Sequence, residues 1–253
     1  MVGYNYWSIK VEDGIFWLYI NNPNRKNAFD TAVVNELEQI LDDEIKQNSD
    51  IRVLVFTTAL DDIFTVGLDI KWLVTLENSK ARDMTRYLQK IFAKIENLPI
   101  PVIVAVKGLN FTAGFELMLC ADIIIAADNA KFGQVETKWG MVPAGGSTQR
   151  LSRLVGPMKA KELIYTSKII NAQEAFNIGL INELVPLAEL ETRVNELASE
   201  IIKCSSKAIT LTKQLIQKGI YNNEEGFLME IEAFQERFSS GEPKRKLKEF
   251  LKK

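Results

Sequence analysis

Glu116 is the acidic residue whose place in the sequence most directly suggests chemistry. Ala113 and Gly114 are expected to open a helix, where the first backbone N–H groups lack intrahelical acceptors and the helix dipole favours an anion. Glu116 follows about one turn later, so its side chain can share a face with those N–H groups. One element could then supply an oxyanion donor and a carboxylate. The alternative is that Glu116 only occupies an electrostatically favourable first-turn position.

Histidine is absent from the chain. Its absence excludes Ser-His-Asp and Cys-His catalysis and histidine-ligated metals, so proton transfer falls to Asp, Glu, Lys, Tyr or Cys. The two cysteines, Cys120 and Cys204, have no second metal ligand nearby in the sequence. We therefore expect two reduced structural thiols, with no disulfide framework and no zinc site.

Three glycine-containing loops near predicted strand ends are further candidates for a site. They cover residues 64–71, 107–117 and 132–136, and the last continues through 140–147. None has the spacing of a phosphate loop or of a dinucleotide-binding loop. Each alone is typical of an ordinary turn, but their combination and order favour one shared site.

The elements that must position these loops alternate between strand and helix. A hairpin is predicted over 6–20 with its turn at Asp13–Gly14, and Asp30 is a plausible cap for the helix behind it. The other predicted strands cover 53–56, 102–106, 123–127 and 180–185, with a loop at 57–68. The other predicted helices cover 84–95, 117–121, segments of 147–178, and everything from 187 onward. This order predicts an α/β core followed by a helical C-terminal part.

The overall composition indicates an ordinary globular protein. The chain has 253 residues and a net charge of −2, which argues against nucleic acid as the main partner. We see neither an apolar run of the roughly 18 residues that a membrane span needs nor a signal peptide. We therefore expect a cytoplasmic protein that does not associate with membranes.

The three loops, in this order, resemble those of the crotonase (enoyl-CoA hydratase/isomerase) superfamily. The resemblance begins at 24–29, continues through the loops, 148–151 and 179–186, and ends with the helical tail at 250–251. It implies a spiral of ββα units over residues 1–190 that carries the active site. It also implies a C-terminal helical trimerisation region over 191–253, in a homo-trimer or a dimer of trimers.

The resemblance also assigns roles to individual residues. The N–H groups of Leu68 and Ala113 would form an oxyanion hole for a thioester carbonyl, and Glu116 and Glu136 would be the two catalytic glutamates. The residues expected to contact the acyl-CoA substrate are Lys26, Ala28, Gly67, Leu68, Asp69, Ile70, Lys71, Ala113 and Gly114. No metal and no separate cofactor are expected, because coenzyme A is part of the substrate.

The presence of both glutamates makes a 2-enoyl-CoA hydratase of fatty acid metabolism the leading interpretation. A Δ3,Δ2-enoyl-CoA isomerase, in which Glu136 alone moves the proton, stays open, as does another lyase that uses the same enolate. A non-catalytic scaffold or RNA-binding member of the fold is the alternative from a different class, and the intact glutamates speak against it.

Large apolar residues of the C-terminal region are too many for a small helical appendage to bury on itself. They either pack against another subunit or cover the chain's own core. These residues are Phe227, Leu228, Met229, Ile231, Phe234, Phe238, Leu247, Phe250 and Leu251.

Overall fold

A computed structural model describes residues 3–221, 229–236 and 240–241. Within these residues, ten strands form two sheets. The strands are β1 (Trp7–Glu12), β2 (Ile15–Ile20), β3 (Val53–Thr58), β4 (Ile63–Thr65), β5 (Val102–Val106), β6 (Leu109–Phe111), β7 (Ile123–Ala127), β8 (Lys131–Gly133), β9 (Ile169–Asn171) and β10 (Glu183–Val185).

Nine α-helices have defined bounds in the same residues. They are α1 (Thr31–Gln39), α2 (Ile70–Thr75), α3 (Ala81–Glu96), α4 (Ala113–Met118), α5 (Ser147–Leu154), α6 (Pro157–Thr166), α7 (Ala172–Asn177), α8 (Leu190–Ile202) and α9 (Ser206–Tyr221). Helix α1 continues as a π-helical segment, Ile40–Ile45, and short 3-10 turns cover Pro23–Arg25, Asn78–Lys80, Glu136–Trp139 and Leu187–Glu189. Residues 229–236 are also helical.

The large sheet has the strand order β1-β2-β3-β5-β7-β10. Only the β1–β2 pair is antiparallel, and its turn residues Asp13 and Gly14 both have positive φ, as a tight hairpin turn requires. All residues of β3 and β5 are buried, which fits parallel strands covered on both faces. The predicted hairpin and the predicted buried strands are confirmed.

Helices cover both faces of the large sheet. One core cluster includes Leu37 of α1 and Phe92 of α3, and α1 begins as predicted at Asp30, whose side chain accepts the Val33 N–H. On the other face, Leu190 and Val194 of α8 belong to a second cluster with residues of β3, β5 and β7. The first helix of the predicted C-terminal region therefore packs on the sheet of its own chain.

The small sheet, in the order β4-β6-β8-β9, is absent from our sequence predictions. Strand β4 lies in the predicted loop 57–68, and β9 interrupts the predicted helical stretch 147–178. Each of its strands has three residues, too few to show an alternating pattern. Because β4, β6 and β8 belong to the three glycine-containing loops and pair in parallel, this sheet brings the three loops together.

The units β3–β4–α2, β5–β6–α4 and β7–β8–α5 each give one strand to each sheet before a helix follows. This arrangement confirms the predicted α/β fold of ββα units, and the helices α8 and α9 confirm a helical C-terminal part. Among the described helices, none combines the length with the apolar character that crossing a bilayer requires.

Three of the apolar C-terminal residues fall within the described residues, and Ile231 and Phe234 are exposed by 66% and 68%. The third, Met229, is partly buried. The others (Phe227, Leu228, Phe238, Leu247, Phe250 and Leu251) lie outside the described residues. Packing of these residues against another subunit stays a prediction.

Candidate active site

The peptide groups around Leu68 are held by Phe29. The Phe29 N–H donates to Gly67 O at 2.7 Å, and the Asp69 N–H donates to Phe29 O at 2.8 Å. This parallel bridge uses the groups on either side of Leu68, so the Leu68 N–H points away from Phe29. It donates instead to Oγ1 of Thr112, at 3.3 Å. Leu68 as a whole is only half-buried.

The first and second loops touch through two glycines. A Cβ atom on Gly67 would lie 1.5 Å from Oγ1 of Thr112, and φ at Gly67 is +90°, so only glycine fits there. A Cβ atom on Gly114 would lie 2.0 Å from Cγ2 of Thr65 in β4. The start of α4 is thereby placed directly against the loop that carries Leu68.

Ala113 is the first residue of α4, as the sequence predicts, and its N–H has no acceptor within the helix. The preceding residue, Thr112, is fixed at both backbone groups: its N–H donates to Gly133 O at 3.0 Å, and its carbonyl accepts the Glu116 N–H at 2.9 Å. The Leu68 N–H, which donates to Thr112 Oγ1, and the Ala113 N–H, on the residue after Thr112, therefore both lie next to Thr112. Their role as oxyanion donors stays a prediction.

Glu116 is 2% exposed, and the third loop folds over its carboxylate. Oε1 accepts the N–H groups of Gly145 at 2.7 Å and of Ser147 at 3.2 Å. A Cβ atom on Gly145 would lie 2.5 Å from Oε2, so the loop passes close to the second oxygen as well. Burial raises the pKa of Glu116, and the two N–H groups oppose that rise by stabilising the ionised form.

Glu136 is 7% exposed and has fewer partners. Its Oε1 accepts Nε2 of Gln134 at 2.8 Å, while its Oε2 has no hydrogen-bond partner among the described residues. Burial raises the pKa of Glu136 to about 7, and the negative charge of Glu116 adds to this rise. The two glutamates are therefore close enough to interact, and Glu136 has the carboxylate oxygen that is not engaged by the protein.

The residues expected to contact coenzyme A form a rim around Leu68. Lys26, Ile70 and Lys71 are exposed there, whereas Ala28 is buried. Asp69 is also buried, and its side chain caps α2 by accepting the Trp72 N–H at 3.0 Å.

Arg25 joins the two helix caps at this rim. It forms ion pairs with Asp69 and with Asp30, the residue that caps α1. The side chain of Asp69 is therefore engaged in holding the loop together.

A cavity of about 360 Å³ opens beside Leu68, between α1, α2 and α3. Most of its surface is apolar, and the side chains of Val34, Trp72, Leu76 and Met84 line it. It is large enough for an extended aliphatic chain, and Leu68 is one of its lining residues.

Several residues of the site lie in the segments that the sequence singles out but received no individual role there. Gln134, Gly145 and Ser147 bind the two carboxylates, and Phe29 orients Leu68. The residues that bind Glu116 come from 29 and 31 positions away in the chain, and only the folded loops bring them together.

Residues 10–253 match the protein family described as enoyl-CoA hydratase/isomerase. The chain is 37% identical to the crotonyl-CoA hydratase of Syntrophomonas wolfei over 246 residues, which cover 97% of this chain and 94% of that protein. It is 36% identical to the short-chain-enoyl-CoA hydratase of Clostridium acetobutylicum, covering 92% of this chain and 90% of that one. The solved structure of enoyl-CoA hydratase from Bacillus anthracis superposes with a TM-score of 0.93 at 32% identity, covering 98% of this chain and 96% of the other.

Proposed function

The chain belongs to the enoyl-CoA hydratase/isomerase family and is an enoyl-CoA hydratase, and on this premise we propose how its own residues add water to a 2-enoyl-CoA thioester. The observation that carries the proposal is the pair of buried, interacting carboxylates of Glu116 and Glu136, with Glu116 on the short helix that begins at Ala113. A scaffold or RNA-binding role would not need two buried acids at one site.

In the first step, the N–H groups of Leu68 and Ala113 bind the thioester oxygen. Electron density moves toward this oxygen, so the β-carbon becomes electrophilic and negative charge develops on the oxygen as water adds. Preorganised donors at such a position contribute roughly 3–4 kcal/mol each to transition-state stabilisation. Coenzyme A enters only as part of the substrate, with Lys26 and Lys71 at the exposed rim to meet its phosphates and with Ala28 and Ile70 beside its adenine.

The different surroundings of the two glutamates support a division of roles. Glu116 has two backbone donors on one oxygen, which stabilise a negative charge against the opposing effect of burial, and we assign it the role of the base that takes a proton from the attacking water. Glu136 has a raised pKa and a carboxylate oxygen without a protein partner, so it gives its proton to the α-carbon. The oxygen of the water, with its remaining hydrogen, bonds to the β-carbon, and a proton bonds to the α-carbon. Glu136 has lost one proton and Glu116 has gained one, so the two glutamates together carry one proton before and after the step.

The direct test is hydration of crotonyl-CoA, followed as loss of the enoyl absorbance. The proposal expects turnover of crotonyl-CoA or of a longer 2-enoyl-CoA, with the acyl chain in the cavity beside Leu68. Absence of any loss across a series of chain lengths contradicts it.

The pH dependence of hydration follows from the raised pKa of Glu136. Because Glu136 must carry the proton, the reactive form is lost as pH rises through about 7. We expect kcat/KM for crotonyl-CoA to fall by about tenfold per pH unit above that pH. Hydration takes up no net proton, so dehydration of 3-hydroxybutyryl-CoA must show the same alkaline limb. A value of kcat/KM that increases through pH 7 would instead make ionised Glu136 the reactive form and reverse the two roles.

We also propose that the chain assembles as a homo-trimer or a dimer of trimers through its C-terminal helices. The exposure of Ile231 and Phe234, and of Ile216 and Ile220 in α9, supports this proposal, because each pair has helical spacing and leaves apolar surface without cover from the described residues. Light scattering on the purified protein should give three or six chain masses, and a monomer at micromolar concentration contradicts the proposal.

A further inference from the structure

Thr112 lies between the two backbone groups assigned to the oxyanion hole. Its Oγ1 accepts the Leu68 N–H at 3.3 Å, and the next residue in the chain provides the Ala113 N–H. A distance of 3.3 Å is long for an N–H···O bond, so the Leu68 N–H can be shared with a second acceptor. An oxygen bound by both N–H groups is then next to the Thr112 hydroxyl.

The hydroxyl has a hydrogen to give. Among the described residues it accepts from Leu68 and donates to none. Thr112 as a whole is half-buried, so it is not sealed inside the core. A hydroxyl that accepts an N–H bond becomes a better donor to a further acceptor, because the bonds of such a chain polarise one another.

The backbone of Thr112 indicates that the side chain matters here. Its φ of 47° and ψ of −118° fall in a region that a β-branched residue rarely adopts and glycine adopts easily. The hydrogen bonds of its N–H to Gly133 O and of its carbonyl to the Glu116 N–H would be available to glycine as well. Only the side chain distinguishes threonine at this position, and its Oγ1 points at the Leu68 N–H.

We propose that Thr112 is a further catalytic residue, whose hydroxyl is a third hydrogen-bond donor to the thioester oxygen beside the Leu68 and Ala113 N–H groups. The proposal rests on the function proposed above, because it places the substrate's carbonyl oxygen at these donors. In the transition state, the hydroxyl accepts from Leu68 and donates to the oxygen on which negative charge develops.

Three substitutions separate the hydroxyl from the shape and backbone of the residue. Thr112→Val keeps the branched shape and removes the hydroxyl, Thr112→Ser keeps the hydroxyl, and Thr112→Gly removes both the hydroxyl and the unfavourable backbone conformation. For crotonyl-CoA hydration, we expect kcat of the valine and glycine variants to fall by about 10- to 100-fold with KM within about threefold. The serine variant should stay within about threefold of wild type. The glycine variant should unfold no earlier than wild type on heating, so its loss of activity is not a loss of folding.

A spectroscopic measurement tests the same contact without turnover. Bound 2,4-hexadienoyl-CoA absorbs at longer wavelength when its carbonyl oxygen accepts stronger hydrogen bonds. In the Glu136→Gln background, we expect a clear red shift that becomes smaller when Thr112→Val is added and is retained with Thr112→Ser. A red shift without any hydration by wild type would contradict the proposed function and leave the Thr112 contact standing.

Four outcomes overturn the proposal. A valine variant as fast as wild type would show that the hydroxyl gives nothing to the oxyanion, and a faster one would show that it competes with substrate for the Leu68 N–H. Equal losses in the valine and serine variants would assign the effect to side-chain shape. No red shift in any form would mean that the thioester carbonyl oxygen is not bound at these donors.

Discussion

Replacing Glu136 by glutamine is expected to lower kcat for crotonyl-CoA hydration by a factor of about 10³ while leaving the affinity for coenzyme A nearly unchanged. Glutamine can still accept the Gln134 amide hydrogen through its own oxygen, so the side chain keeps its place. It cannot give a proton to the α-carbon, and proton transfer by a positioned side chain contributes typically 10²- to 10⁴-fold. Steady-state kinetics and calorimetric titration with coenzyme A measure the two quantities.

The matched control is Glu200→Gln, which makes the same change at an exposed position of α8. It should leave kcat within experimental error of wild type. Equal activity in the Glu136 variant and this control would remove Glu136 from the mechanism.

The Glu136→Gln variant should also be more stable than wild type at alkaline pH. The pKa of Glu136 rises to about 7 in the folded protein from an ordinary value near 4.5, so the folded state binds this proton more strongly than the unfolded state does. The free energy of unfolding therefore falls as pH increases from about 4.5 to about 7, and it loses no more from this group above that pH.

At pH 8, Glu136→Gln lacks this cost of ionisation, which is at most about 3 kcal/mol at 1.36 kcal/mol per pKa unit. Thermal unfolding at several pH values should show the gap between variant and wild type widening from pH 5 to pH 8. A constant gap contradicts a raised pKa. A variant that is stabilised but inactive would indicate that Glu136 is kept for chemistry at the expense of stability.

The parts of the fold that the sequence predicts are those with a local cause. Asp13 and Gly14 can adopt the positive φ of a tight turn, so the hairpin is visible in the sequence. Asp30 has an oxygen side chain in front of a helical apolar pattern, so the start of α1 is visible too. The strands β3, β5 and β7 are apolar runs that only a sheet covered on both faces buries.

The small sheet could not be predicted in this way, because it pairs segments that are distant in the sequence. Its strands are only three residues long, and Gly67 and Gly114 allow the neighbouring loops to approach each other without a Cβ atom between them. The helix around Glu116 was predicted only in part. Its opening at Ala113 agrees with α4 (Ala113–Met118), whereas the apolar pattern placed the helix at 117–121. That range is too late, because the backbone of Thr112, just after β6, turns the chain directly into the helix.

The features of the candidate site also divide into those with a local cause in the sequence and those that depend on the fold. The spacing of Ala113 and Glu116 within one short helix is local and was visible from physical reasoning alone. The pairing of Glu116 with Glu136 needed the resemblance to known sequences, since nothing local connects the second and third loops. The hydrogen bonds that distinguish the two acids, from Gly145 and Ser147 on one side and from Gln134 on the other, required the folded structure.

Replacing Glu116 by glutamine is expected to lower kcat for crotonyl-CoA hydration by a factor of about 10³ and to leave isomerisation of a 3-enoyl-CoA within about tenfold of wild type. Hydration needs a base for the attacking water, and an amide cannot take that proton. Isomerisation only moves a proton from the α-carbon to the γ-carbon, which Glu136 can do alone with its unpartnered oxygen. The ratio of the two activities, measured on crotonyl-CoA and 3-hexenoyl-CoA, reports the role of Glu116.

In this structure, Glu116→Gln removes the basic carboxylate with little expected effect on the fold. The amide oxygen of glutamine can accept the N–H groups of Gly145 and Ser147 in place of Oε1, so the third loop can stay folded over the side chain.

The control is Glu116→Asp, which keeps a base but shortens the side chain by one methylene and withdraws it from both N–H groups. If Glu116 acts as the base, the glutamine variant loses hydration selectively, whereas the aspartate variant weakens both reactions through displacement of the loop. Parallel loss of both reactions in the glutamine variant would instead assign Glu116 to holding the third loop, and would leave Glu136 as the single acid–base residue of the site.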